Sequence, residues 1–322
     1  MLMTDENPLV LGEYRHRFEE AEIEMSGGAT YSGRVDRSGN KEFAQDDEFR
    51  GHLFVDGLWD INDKWRAGTG LELVSDEQYM RQYNITNKDV LENEVYIERF
   101  SGRDYGTARL LSFKDIRVSD RSDDQPNIMP EVYTRFLGDP NALLGGRWSL
   151  EVSGLALQRE GNDQDLNRAT VEGGWQKRHI TSWGLVNTLD LSLRGDSYQV
   201  TDRDIARNTN RKSDASSVRG FANAHFKTSM PFEKSFETSQ MVVEPIAALT
   251  AGSNIEEDND IPNEDSIDVF LDSTNIFNAN RFPGYDRIED KAHATYGLRT
   301  GIYKDNGYQG EVFVGQSYRF DD

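Results

Sequence analysis

Residues 183 to 194, WGLVNTLDLSLR, alternate strictly: Trp183, Leu185, Asn187, Leu189, Leu191 and Leu193 fall on one side, and Gly184, Val186, Thr188, Asp190, Ser192 and Arg194 on the other. Successive side chains of an extended chain point to opposite faces, so a period of two marks a β-strand with one apolar side. The pattern returns at 308 to 320, where Tyr308, Gly310, Val312, Val314, Gln316, Tyr318 and Phe320 oppose Gln309, Glu311, Phe313, Gly315, Ser317 and Arg319. The span from Tyr308 to Tyr318 is roughly 33 Å at ~3.3 Å per residue, or about 25 Å along a membrane normal at a ~40° tilt. That is the height of the apolar band between the aromatic girdles of an outer-membrane barrel.

Fourteen segments read as strands, near 9–18, 22–33, 48–59, 64–75, 92–100, 104–118, 128–137, 145–159, 166–177, 182–200, 216–228, 238–250, 291–303 and 308–320. Short connections (EEA, DIND, SGRD, GDPNALL, the residues around HIT, MPFEKSF, KDNG) alternate with mostly longer ones: RVDRSGNKEFAQDD, SDEQYMRQYNITNKDV, SDRSDDQPN, EGNDQDL, TDRDIARNTNRKSDAS and 251–290. Up-and-down membrane barrels have this two-beat order, with tight periplasmic turns and long external loops, whereas a Greek-key sandwich has no reason to keep it. The fold expected is therefore all-β, an antiparallel up-and-down transmembrane β-barrel, here a partial one of about 14 strands. No linker or low-complexity run divides residues 1–322, so they read as a single domain.

Composition narrows the function classes. The chain of 322 residues is 36% hydrophobic, with Lys plus Arg 36 against Asp plus Glu 57 and a net charge of -21. A field of that sign repels nucleic acid. No window approaches the ~18 apolar residues of a transmembrane helix, and MLMTDENPLVLGEYRHRF lacks the regions of a signal peptide. There are no cysteines, hence neither disulfides nor Cys-ligated metal.

Chemistry-bearing motifs are few. His16, His52, His179, His225 and His293 are scattered without compact ligand spacing and read as surface or lumen side chains; GxSxG is absent. The acidic runs Asp120, Asp123 and Asp124, and Glu256, Glu257, Asp258, Asp260, Glu264 and Asp265, lack the spacing and turn glycine of a calcium loop and read as solvated external segments. No catalytic residue, metal ligand or cofactor site is assigned. Arg194-Gly195-Asp196 and Asn84-Ile85-Thr86 spell an adhesion tripeptide and a glycosylation acceptor, and both are short enough to arise by chance.

One segment breaks the pattern. In STNIFNANRFPGYDRIED, residues 273 to 290, Phe277, Phe282 and Tyr285 stand among Asn, Pro283-Gly284 and Asp286-Arg287 with no period of 2 or 3.6. DSTNIFNANRFPGYDRIEDKAHATYGLRTGIY followed by EVFVGQSYRF resembles the barrel domain of the LptD family, the lipopolysaccharide-assembly proteins of Gram-negative outer membranes. LGEYRHRF, RGHLFVDGLWDINDKWRAGTGLELVSDEQYMRQYNI and GLALQREGNDQDLNRATVEGGWQKRH agree, from about residue 8 to the end.

That resemblance implies a non-enzymatic part in inserting lipopolysaccharide into the outer leaflet. The partners it implies are lipopolysaccharide, a plug lipoprotein of the translocon (LptE-like) and a periplasmic jelly-roll bridge, working at the outer membrane. Members also carry a signal peptide, an N-terminal jelly roll and further strands, so the chain is expected to be the middle of a barrel. Leu185, Leu189, Leu191, Val312 and Val314 are then expected to face lipid, and Asp190, Arg194, Glu311 and Arg319 the lumen. The 273–290 loop is expected to fold inward. Phe277, Arg281, Phe282, Pro283, Gly284, Tyr285, Asp286 and Arg287 are the candidate lumen or plug contacts: Asp286 and Arg287 hydrogen-bonded, the aromatics packed. A diffusion porin or nutrient channel is the alternative of the same fold, and a soluble all-β domain the alternative of another class.

Overall fold

A computed structural model describes residues 2–3, 8–33, 35–38, 41–44, 46–117, 125–159, 163–204, 212–255 and 260–320. The described residues are almost entirely strand. In chain order they are β1 (Leu2–Met3), β2 (Pro8–Arg17), β3 (Ala21–Ser32), β4 (Val35–Ser38), β5 (Lys41–Ala44), β6 (Glu48–Asn62), β7 (Trp65–Val74), β8 (Val90–Ser101), β9 (Asp104–Asp115), β10 (Asn127–Leu137), β11 (Arg147–Gln158), β12 (Asp165–Ile180), β13 (Val186–Asp204), β14 (Lys212–Ser229), β15 (Phe232–Ser235), β16 (Ser239–Gly252), β17 (His293–Lys304) and β18 (Gln309–Arg319). The single helix among them, α1, spans Glu77–Gln82. In the main sheet hydrogen-bonded neighbours follow chain order, β4 and β5 pairing apart as a hairpin and β15 adding onto β16. The fold is thus the antiparallel up-and-down one that the alternation predicts.

All fourteen expected strands have counterparts, and the differences lie in the connections. The expected turn MPFEKSF holds β15, whose Phe232 and Glu233 pair with Val243 and Val242. The loop 75–89 contains α1, started by Asp76, whose carboxylate accepts from the Tyr79 N–H. The strand expected from residue 182 begins at Val186. Trp183 to Leu185 instead lie in a turn closed by Thr181, which exchanges backbone and side-chain hydrogen bonds with Leu185, so Leu185 is a turn residue rather than a wall residue. At the other end β13 and β14 run to Asp204 and from Lys212, so both reach into the expected sixteen-residue loop TDRDIARNTNRKSDAS.

Contacts gather into two compact units, Met1–Thr134 with Ser153–Asn167 and Val200–Asp214, and Arg135–Val152 with Arg168–Gln199 and Ala215–Asp322. In the first, β2, β3, β6, β7, β8 and β9 pair in registers such as Tyr14↔Met25, Met25↔Val55 and Val55↔Leu71, with one shift in β6–β7 between Asp60 and Asn62. Its covered face holds a small apolar cluster of Leu9, Tyr79, Met80, Leu91 and Ile116. Beside it lies a fully buried Arg50, whose guanidinium grips Asp76 at 2.8 and 2.7 Å and also donates to Gln82 Oε1 at 2.8 Å and the Gly33 carbonyl at 2.9 Å. Asp76 therefore caps α1 and docks it at once.

In the second unit β16 pairs β17 from Ser239↔Lys304 to Thr250↔His293, and β17 pairs β18 from His293↔Arg319 to Tyr303↔Gln309. Strand parity here divides the faces in the reverse of a soluble protein. Arg168, Thr170, Arg194, Asp196, Ser217, Asn223, His225, Thr250, His293 and Thr295 are buried on one face, while Val171, Leu191, Leu193, Val218, Leu249, Leu298, Val312 and Val314 stand exposed on the other. Apart from a few buried apolar residues such as Phe221, Ile246 and Ala248, the covered face is polar and the bare one apolar, the distribution of a wall whose bare face meets lipid. Among the described residues no helix is long and apolar enough to cross a membrane.

Candidate functional site

Three consecutive strands of the second unit each place an arginine on the covered face: Arg168 on β12, Arg194 on β13 and Arg219 on β14. Asp196, two residues beyond Arg194 and so on the same face, ties the set together. Its carboxylate accepts from Thr170 Oγ1, Arg194 Nε and Arg219 Nε, all at 2.8 Å. Tyr198, two further on, is fully buried and takes a 3.0 Å hydrogen bond from Arg219 Nη2.

Onto this platform docks the connection between β16 and β17. The Tyr285 carbonyl accepts from Arg194, from Arg219 at 2.8 Å and from the Tyr198 hydroxyl at 3.3 Å, and the Asp286 carbonyl accepts from Arg219 Nη1 at 2.7 Å. The Arg168 and Arg194 guanidiniums both lie over the Tyr285 ring, 4.8 and 5.2 Å from its centroid, a doubled cation–π contact. Arg168 bridges two loop carboxylates, Asp286 at 2.6 Å and Asp265 at 2.7 Å. Those carboxylates also lock the loop to itself: Asp286 accepts the Glu264 and Asp265 N–H groups, and Asp265 accepts those of Tyr285 and Asp286. Gly284, at φ +76°, lets the chain pass so closely that a Cβ there would sit 2.4 Å from Asp265 Oδ1 and 2.5 Å from its carbonyl oxygen.

A second anchor lies on β17 and β18. Glu289 accepts a paired grip from Arg281, which also reaches Ser317 Oγ at 3.0 Å, and Arg319 and His293 approach the same carboxylate at 3.5 and 3.9 Å. A third is apolar: Ile276 and Phe277 pack with Ile246 and Ala248, and the Phe277 ring meets Phe313 edge-on at 5.8 Å.

These contacts set the loop carboxylates apart electrostatically. Burial pushes the Asp286 carboxyl up, against the opposing pull of Arg168 and the Glu264 N–H. For Asp265, burial is outweighed by the Tyr285 N–H and Arg168, and its carboxyl is held below the usual range. Burial is likewise outweighed at Glu289, by Arg281, His293 and Arg319, and it too is held down.

Of the residues picked from sequence, the structure brings Phe277, Arg281, Tyr285 and Asp286 into these anchors. Arg287 donates its N–H to Ser266 Oγ at 3.1 Å and its side chain to Asp268, and stacks on half-buried Phe282 at 5.8 Å. Pro283 and Gly284 are exposed at the tip. Sequence reasoning passed over Arg168, Tyr198, Arg219 and Glu289, weighed Asp196 only as part of a chance tripeptide, and weighed Asp265 only as a cation ligand. The available signal was parity, since Arg168, Arg194 and Arg219 are charged residues at inward positions of three neighbouring strands. It also passed over IDVFL, where Ile267, Val269, Phe270 and Leu271 are exposed, Phe270 by 94%.

The remaining sequence candidates scatter. His16 is sandwiched between Tyr14 and Phe18, His52 meets the Tyr79 hydroxyl at 3.1 Å, His179 is exposed, and His225 bonds Thr250 at 2.8 Å. Leu189 and Asp190 are half-buried in β13, Asp190 accepting from Gln176 at 2.6 Å; Glu311 is exposed beside the Tyr303 hydroxyl. Asp120, Asp123, Asp124, Glu256, Glu257 and Asp258 lie outside the described residues. Among the described residues no three His, Asp or Glu side chains converge as a metal site.

Residues 48–322 match the family model of LptD, LPS transport system D. Similar curated proteins are each called LPS-assembly protein LptD. That of Alcanivorax borkumensis is 25% identical over 83% of this chain and 36% of its own length, and that of Acinetobacter baumannii 21% identical over 99% and 39%. A Pseudomonas putida relative is 39% identical over a shorter stretch, 20% of this chain and 7% of its own. The chain spans well under half the length of these relatives.

Proposed function

Because the chain belongs to the LptD family, we propose that it builds part of the outer-membrane translocon that inserts lipopolysaccharide into the outer leaflet, without a covalent step. The observation that carries this reading is a polar, arginine-bearing strand face covered by a loop that three separate anchors hold in place. A simple wall needs its polar face wetted; a machine that fits a plug and passes an amphiphile needs that face built. In this reading the covered face lines the lumen, and the docked loop is the internal surface against which a plug lipoprotein of the LptE kind seats.

Within the loop, Phe277, Arg281, Tyr285 and Asp286 hold the fold of the segment, while Phe282, Pro283, Gly284 and Arg287 form its presented side. Ile267, Val269, Phe270 and Leu271, bare in this chain, supply apolar area for a partner to cover. Delivery through a periplasmic jelly-roll bridge belongs to the same reading, as does the lipid-facing role of Leu191, Val312 and Val314.

The test is depletion of the full-length protein in its own cells, followed by surface labelling of lipopolysaccharide. Loss of outer-leaflet lipopolysaccharide, restored by re-expression, is the expected result. Undiminished surface lipopolysaccharide overturns the reading, and stable single-channel currents from the reconstituted protein without any partner would favour the diffusion-porin alternative instead.

A further inference from the structure

The bare face of the first unit is not uniformly apolar surface: between β2, β3, β6 and β7 it sinks into a groove of about 600 Å³. Tyr14, Phe18, Trp59 and Val95 form its walls, and its floor is low where Gly57 and Ala67 stand in the registers beside Thr69 and Trp59. A side chain at Gly57 would press on Thr69, a Cβ there coming within 3.2 Å of Thr69 Cγ2. Along the β2 side His16 stacks on Tyr14 and meets Phe18 at a tilt, with centroids 6.1 and 4.2 Å apart.

Phe18, Ala21, Trp59 and Ala67 place the groove beside the short turns of this unit, the end that lies on the periplasmic side of up-and-down outer-membrane proteins. Two cations stand there, Lys64 in the β6–β7 turn and Arg99, which is paired in register with Trp65. Neither forms an ion pair among the described residues. Arg99 lies two residues beyond Ile97, the register partner of Ala67, roughly 7 Å further along the strand. An aromatic-walled trough of this volume with unpaired cations one short step beyond its mouth fits an acyl chain joined to a phosphate. Glu19, Glu20 and Asp63 occupy the same turns, which favours a zwitterionic headgroup, its phosphate at the two cations and its ammonium beside the carboxylates, over one of net negative charge.

We propose that this groove is a specific glycerophospholipid site of the periplasmic leaflet, with one acyl chain between Trp59 and Tyr14 and the phosphate at Lys64 and Arg99. The inference rests on the membrane placement of the bare face and is independent of what the covered face transports.

It is tested on the full-length protein reconstituted in bilayers carrying a diazirine-chain phosphatidylcholine or a diazirine-chain galactolipid, with photo-adducts mapped to peptides. Adducts on the Trp59 and Ala67 peptides should be about threefold to fivefold more abundant with the phospholipid, the ratio that one or two exposed charge contacts give, while the Val312–Val314 peptide shows equal yields. Lys64→Gln with Arg99→Gln should bring the ratio to one without loss of total adduct, and Ala67→Phe should lower adducts from both lipids. Equal yields at Trp59 and at Val312 would overturn the site and leave only ordinary annular lipid. Loss of surface lipopolysaccharide on depletion would be unaffected by that outcome, so the two readings fail separately.

Discussion

At buried Arg168 one guanidinium holds two loop carboxylates, part-exposed Asp265 and buried Asp286. Removing one partner of a buried pair strands the other, and the usual penalty is ~3 to 5 kcal/mol. Arg168→Met is therefore expected to undock the loop, seen as a rise in mobility of a nitroxide attached at exposed residue 278. The absence of cysteine in the chain makes that label simple to place. Arg168→Met combined with Asp265→Asn and Asp286→Asn should recover part of the loss, because no buried charge is then left unpaired. Gly284→Ala should loosen the same label by about 1 to 3 kcal/mol of docking energy, since φ +76° and the Asp265 contact both resist a side chain. An unchanged line shape in either variant counts against the anchoring described.

At the scale of elements, the loop's response to acid follows from its carboxylates. Asp265 and Glu289 are held below their ordinary values, so their contribution is present above the unfolded values near ~4 and is lost as pH falls through the lower folded ones. Asp286 is raised and runs the other way, its strain easing as it gains a proton. The docked loop should thus hold its place from neutral pH to about pH 5 and release only below about pH 4, read from the same label. Release between pH 7 and 5 would contradict the signs. In the first unit, Asp76→Ala removes the cap of α1 and the partner of buried Arg50 together, with an expected cost of ~3 to 5 kcal/mol in equilibrium unfolding; Ser75→Ala should cost only about 1 kcal/mol.

These two docked connections also mark where sequence reading reaches its limit. Strand periodicity located all fourteen long strands, because a one-residue slip would turn every apolar side chain to the wrong face. It could not see that β13 and β14 extend to Asp204 and from Lys212. Nor could it see that Tyr198 and Arg219, further back on these two strands, are covered by Tyr285 and Asp286, contacts that no local period records. α1 was hidden for a related reason. Six residues carry too little helical pattern to stand out, and what fixes them is Asp76 reaching Arg50, 26 residues away.

For the whole molecule, the face polarity and the loop yield one joint expectation. If the covered face belongs to the lumen of a lipopolysaccharide translocon, Phe270 on the loop and Val314 on β18 meet entirely different surroundings. The most direct measurement is photo-crosslinking in living cells from a benzophenone amino acid placed at each of these positions in the full-length protein. From Phe270 the account predicts adducts to a lipoprotein or to lipopolysaccharide; from Val314 it predicts phospholipid or lipopolysaccharide and no lipoprotein. Crosslinks to lipoprotein from Val314, or none but phospholipid from Phe270, would contradict it.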